Sequence, residues 1–154
     1  MPRDPIPTWS YVFAVVQKGD RFLLVQETKH GQTWYLPAGR VEPHESLVDA
    51  VHRETLEEAG VPIVLDGLLR VERTVRAGSG VRLRVFFAAH AADDTPPKSV
   101  PDDESLGAAW FTLAEAARLP LRGDDVLENL ELLSAIRAGR GPGAIAPLTL
   151  LVER

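Results

Sequence analysis

The stretch GRVEPHESLVDAVHRETLEEAGV, residues 39–61, decides the fold of this chain. Residues that can be buried recur at every fourth position from Leu47 to Ala59, which is the spacing of one helix face. Ser46 stands just before this pattern as a helix N-cap, and Gly60 follows it at the position where glycine commonly ends a helix. We therefore predict a helix over Ser46 to Ala59.

Three carboxylates of this helix lie on or beside its apolar face, whereas solvated carboxylates would be expected on the opposite face. At about 100° per residue, Glu54 and Glu58 fall within about 20° of Leu47 on the apolar stripe, and Glu57 borders them. Glu57 and Glu58 also occupy the last turn, where the helix dipole disfavours an anion by about 0.3–1 kcal/mol. Arg53 alone cannot balance three carboxylates. Oxygen ligands favour a hard cation such as Mg²⁺ or Mn²⁺, and the alternative is a solvated acidic face.

The composition restricts the remaining function classes. The chain has 154 residues, of which 45% are hydrophobic, and this length is typical of a single domain with its own core. It contains no cysteine, which excludes a disulfide framework, a thiolate metal site and a cysteine nucleophile. The net charge is -5, and residues 42–58 alone sum to -5, so we expect no stable nucleic-acid binding.

The N-terminal segment MPRDPIPTWS has no apolar core of the kind that a signal peptide carries. No run in the chain reaches the roughly 18 apolar residues of a membrane helix. We expect a soluble, cytoplasmic protein without a membrane partner, present as a monomer or a homodimer.

Short apolar runs surround the helix and predict an α/β protein with a mixed sheet. We predict strands at residues 11–16, 21–26, 34–36, 61–75, 81–90 and 108–111. Two further helices are predicted at residues 113–119 and 124–137. The chain breaks at the glycine-rich segment 139–143, and residues 144–152 could add an edge strand or a dimer contact. We interpret residues 1–154 as one domain with a C-terminal extension at 139–154.

The spacing of residues 39–61 resembles the Nudix box, G-x5-E-x7-R-E-U-x-E-E-x-G-U, in which U is aliphatic. The seven non-aliphatic positions of the box match at Gly39, Glu45, Arg53, Glu54, Glu57, Glu58 and Gly60. The last aliphatic position holds Val61, and the first holds Thr55, a half-apolar residue that can pack there. This resemblance to the MutT-like Nudix hydrolases implies an α/β/α sandwich that hydrolyses a nucleoside diphosphate linked to another group.

The resemblance also assigns roles to individual residues. The residues that resemble the family's metal ligands are Glu54, Glu57, Glu58 and the carbonyl of Gly39. Arg53 and Glu45 would orient these carboxylates. Either Glu54 or the more distant Glu104, which lies in the acidic loop after the last long strand, would accept the proton of the attacking water. The alternative for Glu104 is a solvated loop residue.

Three stretches outside the box resemble the branch that cleaves 8-oxo-guanine nucleoside diphosphates to monophosphates. They are WYLPAGRVEP (34–43), ESLGAAWF (104–111) and LPLRGDDVLENLE (119–131). This resemblance implies a Mg²⁺-dependent pyrophosphohydrolase of nucleoside di- or triphosphates, with oxidised purine nucleotides as substrates. The alternatives are a Nudix hydrolase of ADP-ribose, a nucleotide sugar or another linked nucleoside diphosphate, and a Nudix-fold module that binds nucleotides without cleaving them.

Several side chains are candidates for contacts with the base. Trp34 and Tyr35 precede the box, and Asp125 and Asn129 follow the last strand, beside Asp124. Each of these residues has an alternative role in the structure alone. The two aromatic residues could belong to the core, and the polar residues could cap the helix or lie on its solvated face. Weaker candidates for a stacking wall and for phosphate contacts are Trp9, Phe13 and Phe87, and the arginines at 70, 73, 76, 82 and 84.

Overall fold

The structure is a computed structural model that describes residues 4–141 and 143–154. Residues 1–3 of the N-terminal segment and Pro142 of the glycine-rich break lie outside the described residues. The strands are β1 Thr8–Lys18, β2 Arg21–Gln26, β3 Trp34–Tyr35, β4 Ala38–Arg40, β5 Ile63–Arg76, β6 Gly80–Ala91 and β7 Gly107–Thr112. The helices are α1 Leu47–Ala59, α2 Leu113–Ala116 and α3 Asp125–Arg137.

Strand β1 lies at the centre of a mixed sheet. Its residues 8–16 run parallel to β6, and β6 pairs antiparallel with β5. On its other side β1 pairs antiparallel with β4 and, at the turn of the predicted hairpin, with β2. Strand β2 then carries β3 and β7, both antiparallel. The predicted α/β class and mixed sheet are confirmed.

The side chains of β1 alternate between two cores. Val12, Ala14 and Val16 face the core under α1, whereas Phe13 and Val15 face the core under α3. Both faces of the strand are buried, which explains why its sequence is a continuous apolar run rather than an alternating one. Helix α1 therefore covers one face of the sheet and α3 covers the other, which gives the predicted α/β/α sandwich.

The C-terminal segment forms less sheet than its apolar residues indicate. Ala146 makes one antiparallel bridge to Leu68 of β5, and a short 3-10 turn follows at Leu148–Leu150. The Glu153 carboxylate accepts a hydrogen bond of 2.7 Å from the backbone N–H of Leu47, the first residue of α1. The predicted edge strand is thus reduced to a single bridge, and the segment contacts β5 and the start of α1 instead. No helix among the described residues is long and apolar enough to cross a membrane.

Candidate active site

Helix α1 begins and ends where its sequence predicts. The Ser46 hydroxyl accepts a hydrogen bond of 2.9 Å from the backbone N–H of Asp49. At the other end Gly60 adopts a left-handed conformation with φ of 69° and donates its N–H to the Leu56 carbonyl. Thr55, at the aliphatic position of the motif, is fully buried, and its hydroxyl donates to the Val51 carbonyl at 2.7 Å. The helix ends are therefore fixed, and no polar group is left unpaired at Thr55.

Arg53 connects two carboxylates of α1 to Glu45, which precedes the helix. Its Nε and Nη2 atoms bind the two oxygens of Glu45 at 2.7 and 2.9 Å, a geometry typical of the strongest arginine–carboxylate pairs. Its Nη1 atom binds both Glu54, at 2.9 Å, and Glu57, at 3.0 Å. The Arg53 hydrogen bonds lower the pKa of Glu45. One guanidinium thus sets the positions of three carboxylates.

Glu54 lies directly against the backbone of β4. A Cβ atom built on Gly39 would lie 1.9 Å from the Glu54 carboxylate, so no side chain other than glycine's hydrogen fits there. Glu54 is 9% exposed, and burial raises the pKa of its carboxyl. Gly39 is therefore required by a close approach of a functional side chain and not by its own backbone conformation.

Glu58 is the most strongly perturbed carboxyl of the site. One of its oxygens accepts a hydrogen bond of 2.9 Å from the backbone N–H of Ala38. Burial, together with the smaller effect of the negative charges of Glu54, Glu27 and Glu104, raises its pKa to about 8. Buried carboxylates in mutual repulsion are stabilised by a bound cation.

Glu57 and Glu104 complete the acidic cluster from the solvent side, since both are exposed. The loop that carries Glu104 is attached to the end of α1, because the Ser105 hydroxyl donates to the Glu58 carbonyl at 2.6 Å. Asp102 accepts hydrogen bonds from the backbone N–H groups of Glu104 and Ser105. The structure therefore brings the predicted loop carboxylate to the side of the box where Glu54 and Glu58 lie.

The donor set fits a partly hydrated hard cation better than a fully protein-bound one. Among residues 4–141 and 143–154, no three acidic or histidine side chains converge at coordination distance on one point. Mg²⁺ keeps several water ligands and is held by one or two carboxylates together with substrate phosphates, so three converged side chains are not required. Glu54, Glu57 and Glu58, with the carbonyl of Gly39, would offer such a cation oxygen ligands only.

A cavity of about 570 Å³ opens beside these carboxylates. Glu58, Gly39 and Glu27 line one part of it, and Tyr35 and Asp125 line another. Its volume lies within the usual range of small-molecule sites. Glu58 of the acidic cluster and a region large enough for a nucleotide base thus line one cavity.

A hydrogen-bonded group forms the part of the cavity under α3. The Asp125 carboxylate accepts hydrogen bonds from the Tyr35 hydroxyl at 3.2 Å and from Arg84 Nη1 at 2.9 Å. Burial and the nearby Asp125 charge raise the pKa of Tyr35 to about 12, so the phenol keeps its proton at neutral pH. The guanidinium of Arg122 lies 5.0 Å from the centre of the Tyr35 ring. This region offers polar groups at fixed positions beside an aromatic face.

The model of the NUDIX domain matches residues 7–131 of the chain. The chain belongs to the Nudix family. Helix α1 is accordingly its Nudix helix, and residues 39–61 are its Nudix box. Nudix hydrolases generally use divalent metal ions.

Curated relatives and solved structures agree with this membership. The human 8-oxo-dGDP phosphatase NUDT18 is 42% identical over 120 residues, which cover 77% of this chain and 36% of that protein. Phosphatase NudJ from Escherichia coli O1:K1 is 31% identical over 105 residues, 68% of this chain and 67% of that one. A NUDIX hydrolase structure from Nitrosomonas europaea has a TM-score of 0.75 at 28% identity and covers 96% of this chain and 98% of its own. The chain spans about a third of the length of the human relative.

Two residues predicted to contact the substrate lie elsewhere in this Nudix fold. Trp34 packs edge-on against Phe111, with ring centres 4.9 Å apart, and it does not line the cavity. Packing the two rings together removes apolar surface from water. Asn129 is fully buried, donates to the Asp125 carbonyl at 2.7 Å and is likewise not part of the lining. Its side chain supports the helix residue that does face the cavity, so both residues leave our proposed site.

The remaining aromatic candidates divide between the core and the cavity. Phe87 is fully buried in the core under the Nudix helix, and its role as a stacking wall is wrong. Phe13 and Tyr35 do line the cavity, together with Asp124 and Asp125. Trp9 lies outside this cavity, in a neighbouring groove.

Two charged cavity residues, Glu27 and Arg122, did not emerge as candidates from the sequence. Arg82 and Arg84 of β6 were weaker candidates for phosphate contacts, and both line the cavity. The parallel pairing of β1 with β6 brings these two arginines to the cavity. Glu27 follows a buried strand, and its side chain pairs with Arg122 at 2.6 Å. The sequence feature that could have identified Glu27 as a site residue is its position as a carboxylate directly after a predicted strand.

Replacing Arg53 by lysine is expected to lower turnover about 10- to 100-fold, the usual effect of losing a residue that orients metal ligands. A lysine cannot bind Glu45 with two hydrogen bonds and also hold Glu54 and Glu57. Steady-state kinetics with saturating Mg²⁺ would measure the effect. The control is Arg118→Lys, at an exposed position outside the site. Equal turnover by the two variants would contradict the orienting role of Arg53.

Proposed function

We propose that this protein is a divalent-cation-dependent pyrophosphohydrolase that converts nucleoside di- or triphosphates to the monophosphate. We further propose oxidised purine nucleotides of the 8-oxo-dGDP type as its substrates. The observation that carries the proposal is the single cavity in which the carboxylate of Glu58, on the Nudix helix, and the Tyr35–Asp125 pair both lie. A nucleotide could place its diphosphate at the first and its base at the second.

The cation would be Mg²⁺ or Mn²⁺, held by Glu54, Glu57 and Glu58 with the carbonyl of Gly39. When bound, it neutralises the diphosphate and lowers the pKa of a coordinated water. Arg53 and Glu45 keep the carboxylates in place. Glu54 and Glu104 are the two groups proposed to accept the proton of the attacking water, and their charges lie close enough to interact.

The substrate class is supported by the relatives. The chain is 42% identical over 120 residues to a protein named as an 8-oxo-dGDP phosphatase, and these residues cover 36% of that protein. The chain itself has the features that such a substrate needs. The Asp125 carboxylate lies at the cavity wall, where an additional N–H on an oxidised purine could donate to it, and Arg84 and Tyr35 fix its orientation.

Asp125→Asn is expected to reduce the preference for 8-oxo-dGDP over dGDP by about tenfold, which corresponds to about 1.4 kcal/mol. The change replaces one acceptor oxygen by a donor and disturbs the bonds from Tyr35 and Arg84. The measurement is the ratio of kcat/KM for the two nucleotides. Glu128→Gln, at an exposed position one turn further along α3, is the control. An unchanged ratio in Asp125→Asn would remove this residue from the base site.

A substrate panel tests the proposed function. It contains 8-oxo-dGDP, 8-oxo-dGTP, dGTP, ADP-ribose, diadenosine tetraphosphate and a nucleotide sugar, each with Mg²⁺ and with a chelator, and the products are identified. We expect Mg²⁺-dependent release of 8-oxo-dGMP with the highest kcat/KM. Faster turnover of ADP-ribose or the nucleotide sugar would favour another Nudix hydrolase class. Nucleotide binding without any turnover would favour a binding module.

The presence of Glu54, Glu57 and Glu58 argues against the binding module, because Nudix-fold modules that do not cleave their ligand tend to lose carboxylates of the box. We also propose that the protein acts in the cytoplasm as a monomer or a homodimer. Its net charge of -5 supports a small nucleotide rather than a nucleic acid as its partner.

A further inference from the structure

A second concave surface adjoins the main cavity. We call it the arginine groove and define it by Trp9, Arg40, Arg76 and Arg82. Its volume is about 210 Å³. Tyr11 and Arg82 line both the groove and the main cavity, so the two are continuous.

The charge of the groove is uncompensated by the protein. Within the part of the chain that the structure describes, Arg40, Arg76 and Arg82 form no ion pair with a carboxylate. Their neighbours on the same strands behave differently, because Arg70 pairs with Glu72 and Glu128, and Arg84 pairs with Glu72 and Asp125. Three guanidinium groups without an acidic partner at one surface attract an anion.

Arg82 carries a more specific signal. Its Nε atom is buried and has no hydrogen-bond acceptor among the described residues. Leaving a buried N–H donor without an acceptor is unfavourable, and such groups in folded proteins call for an explanation. Because the side chain stands at the junction of the groove and the cavity, an acceptor atom of a bound ligand could satisfy it there.

The groove also adjoins the Nudix box. Arg40 follows Gly39 on β4 and pairs with Tyr11 of β1, and its guanidinium lies 5.5 Å from the centre of the Trp9 ring. This cation–π contact holds the Arg40 side chain over the groove. An anion in the groove would thus lie beside strand β4, which carries Gly39.

We propose that the arginine groove binds the terminal phosphate of a nucleoside triphosphate whose first two phosphates lie at the Nudix box. This inference rests on the proposed function and deepens it. The groove is continuous with the cavity, so a third phosphate could contact its arginines, and a triphosphate would then bind more tightly than the diphosphate of the same nucleoside.

The test compares two analogues that the enzyme cannot cleave, α,β-methylene 8-oxo-dGDP and the bismethylene analogue of 8-oxo-dGTP. Dissociation constants are measured by titration calorimetry with Mg²⁺ for the wild type, for the double variant Arg40→Gln/Arg76→Gln, and for Arg73→Gln. Arg73 is exposed on β5 and does not line the groove, which makes it the matched control for loss of positive charge.

We expect the wild type and Arg73→Gln to bind the triphosphate analogue about tenfold more tightly than the diphosphate analogue, a ratio typical of one added charge-assisted contact. The double variant should bind the two analogues with nearly equal affinity. If the double variant kept the wild-type ratio, or if the wild type showed no preference, the groove proposal would be wrong and the proposed function would stand. Failure of both analogues to bind the wild type would overturn both.

Discussion

Glu57→Gln and Glu58→Gln are each expected to lower Mg²⁺-dependent turnover by several orders of magnitude without loss of the fold. Each change removes the charge of a proposed metal ligand and keeps the shape of the side chain. Glutamine at position 58 can still accept the hydrogen bond from the Ala38 N–H. Turnover at saturating Mg²⁺ is the measurement, and Glu131→Gln, at an exposed position on α3, is the control.

The stability of the same variants separates a metal-binding role from a structural one. The pKa of Glu58 is about 8 in the folded protein, because the side chain is buried, and about 4.5 in the unfolded chain. Above pH 4.5, ionisation of Glu58 therefore favours the unfolded chain and destabilises the metal-free fold. Metal-free Glu58→Gln should therefore melt at the same temperature as the wild type near pH 4 and at the same or a higher temperature near pH 8. A large loss of melting temperature, or wild-type turnover by either variant, would contradict the metal assignment.

Gly39→Ala is expected to reduce turnover by at least about 100-fold, the scale on which misplaced catalytic groups act. The new methyl group would lie 1.9 Å from the Glu54 carboxylate, so Glu54 or strand β4 has to move. Glu54 is hydrogen-bonded to Arg53, which also binds Glu45 and Glu57. Moving Glu54 therefore disturbs the positions of all three carboxylates. Kinetics and thermal unfolding measured together would reveal the effect.

Gly19→Ala provides the comparison for Gly39→Ala. Gly19 lies in the β1–β2 turn with φ of 61°, and a Cβ there meets no atom within 4 Å. That variant should lose about 1 kcal/mol of stability through backbone strain and keep its turnover. If Gly39→Ala also kept full turnover, the close approach between Gly39 and Glu54 would have no functional meaning.

The Nudix helix could be predicted from sequence because all of its determinants are local. Ser46, Gly60 and the four-residue apolar spacing fix its ends and its buried face, and the same spacing places Glu54 and Glu58 beside that face. The carboxylate cluster could be predicted because its residues belong to one helix. The contacts of these carboxylates with Gly39 and Ala38 could not be predicted, because they depend on how β4 packs against the helix.

The base pocket and the arginine groove depend on pairing between strands far apart in the chain. Arg82 and Arg84 reach the cavity because β6 pairs in parallel with β1, a register that their alternation with apolar residues does not reveal. Trp34 and Tyr35 form a strand of two residues, too short for periodicity to tell which ring faces the cavity. Asn129 looks like a polar residue on a helix, yet it is fully buried.

The binding of Mn²⁺ is the most direct test of the central claim, that the carboxylates of the Nudix helix hold a divalent cation. Electron paramagnetic resonance would measure free and bound Mn²⁺ for the wild type, Glu57→Gln, Glu58→Gln and Glu131→Gln, with and without α,β-methylene dGDP. We expect the wild type and Glu131→Gln to bind Mn²⁺, more tightly with the nucleotide, and the two Nudix-helix variants to bind it far more weakly. Equal Mn²⁺ binding by all four proteins would contradict the claim.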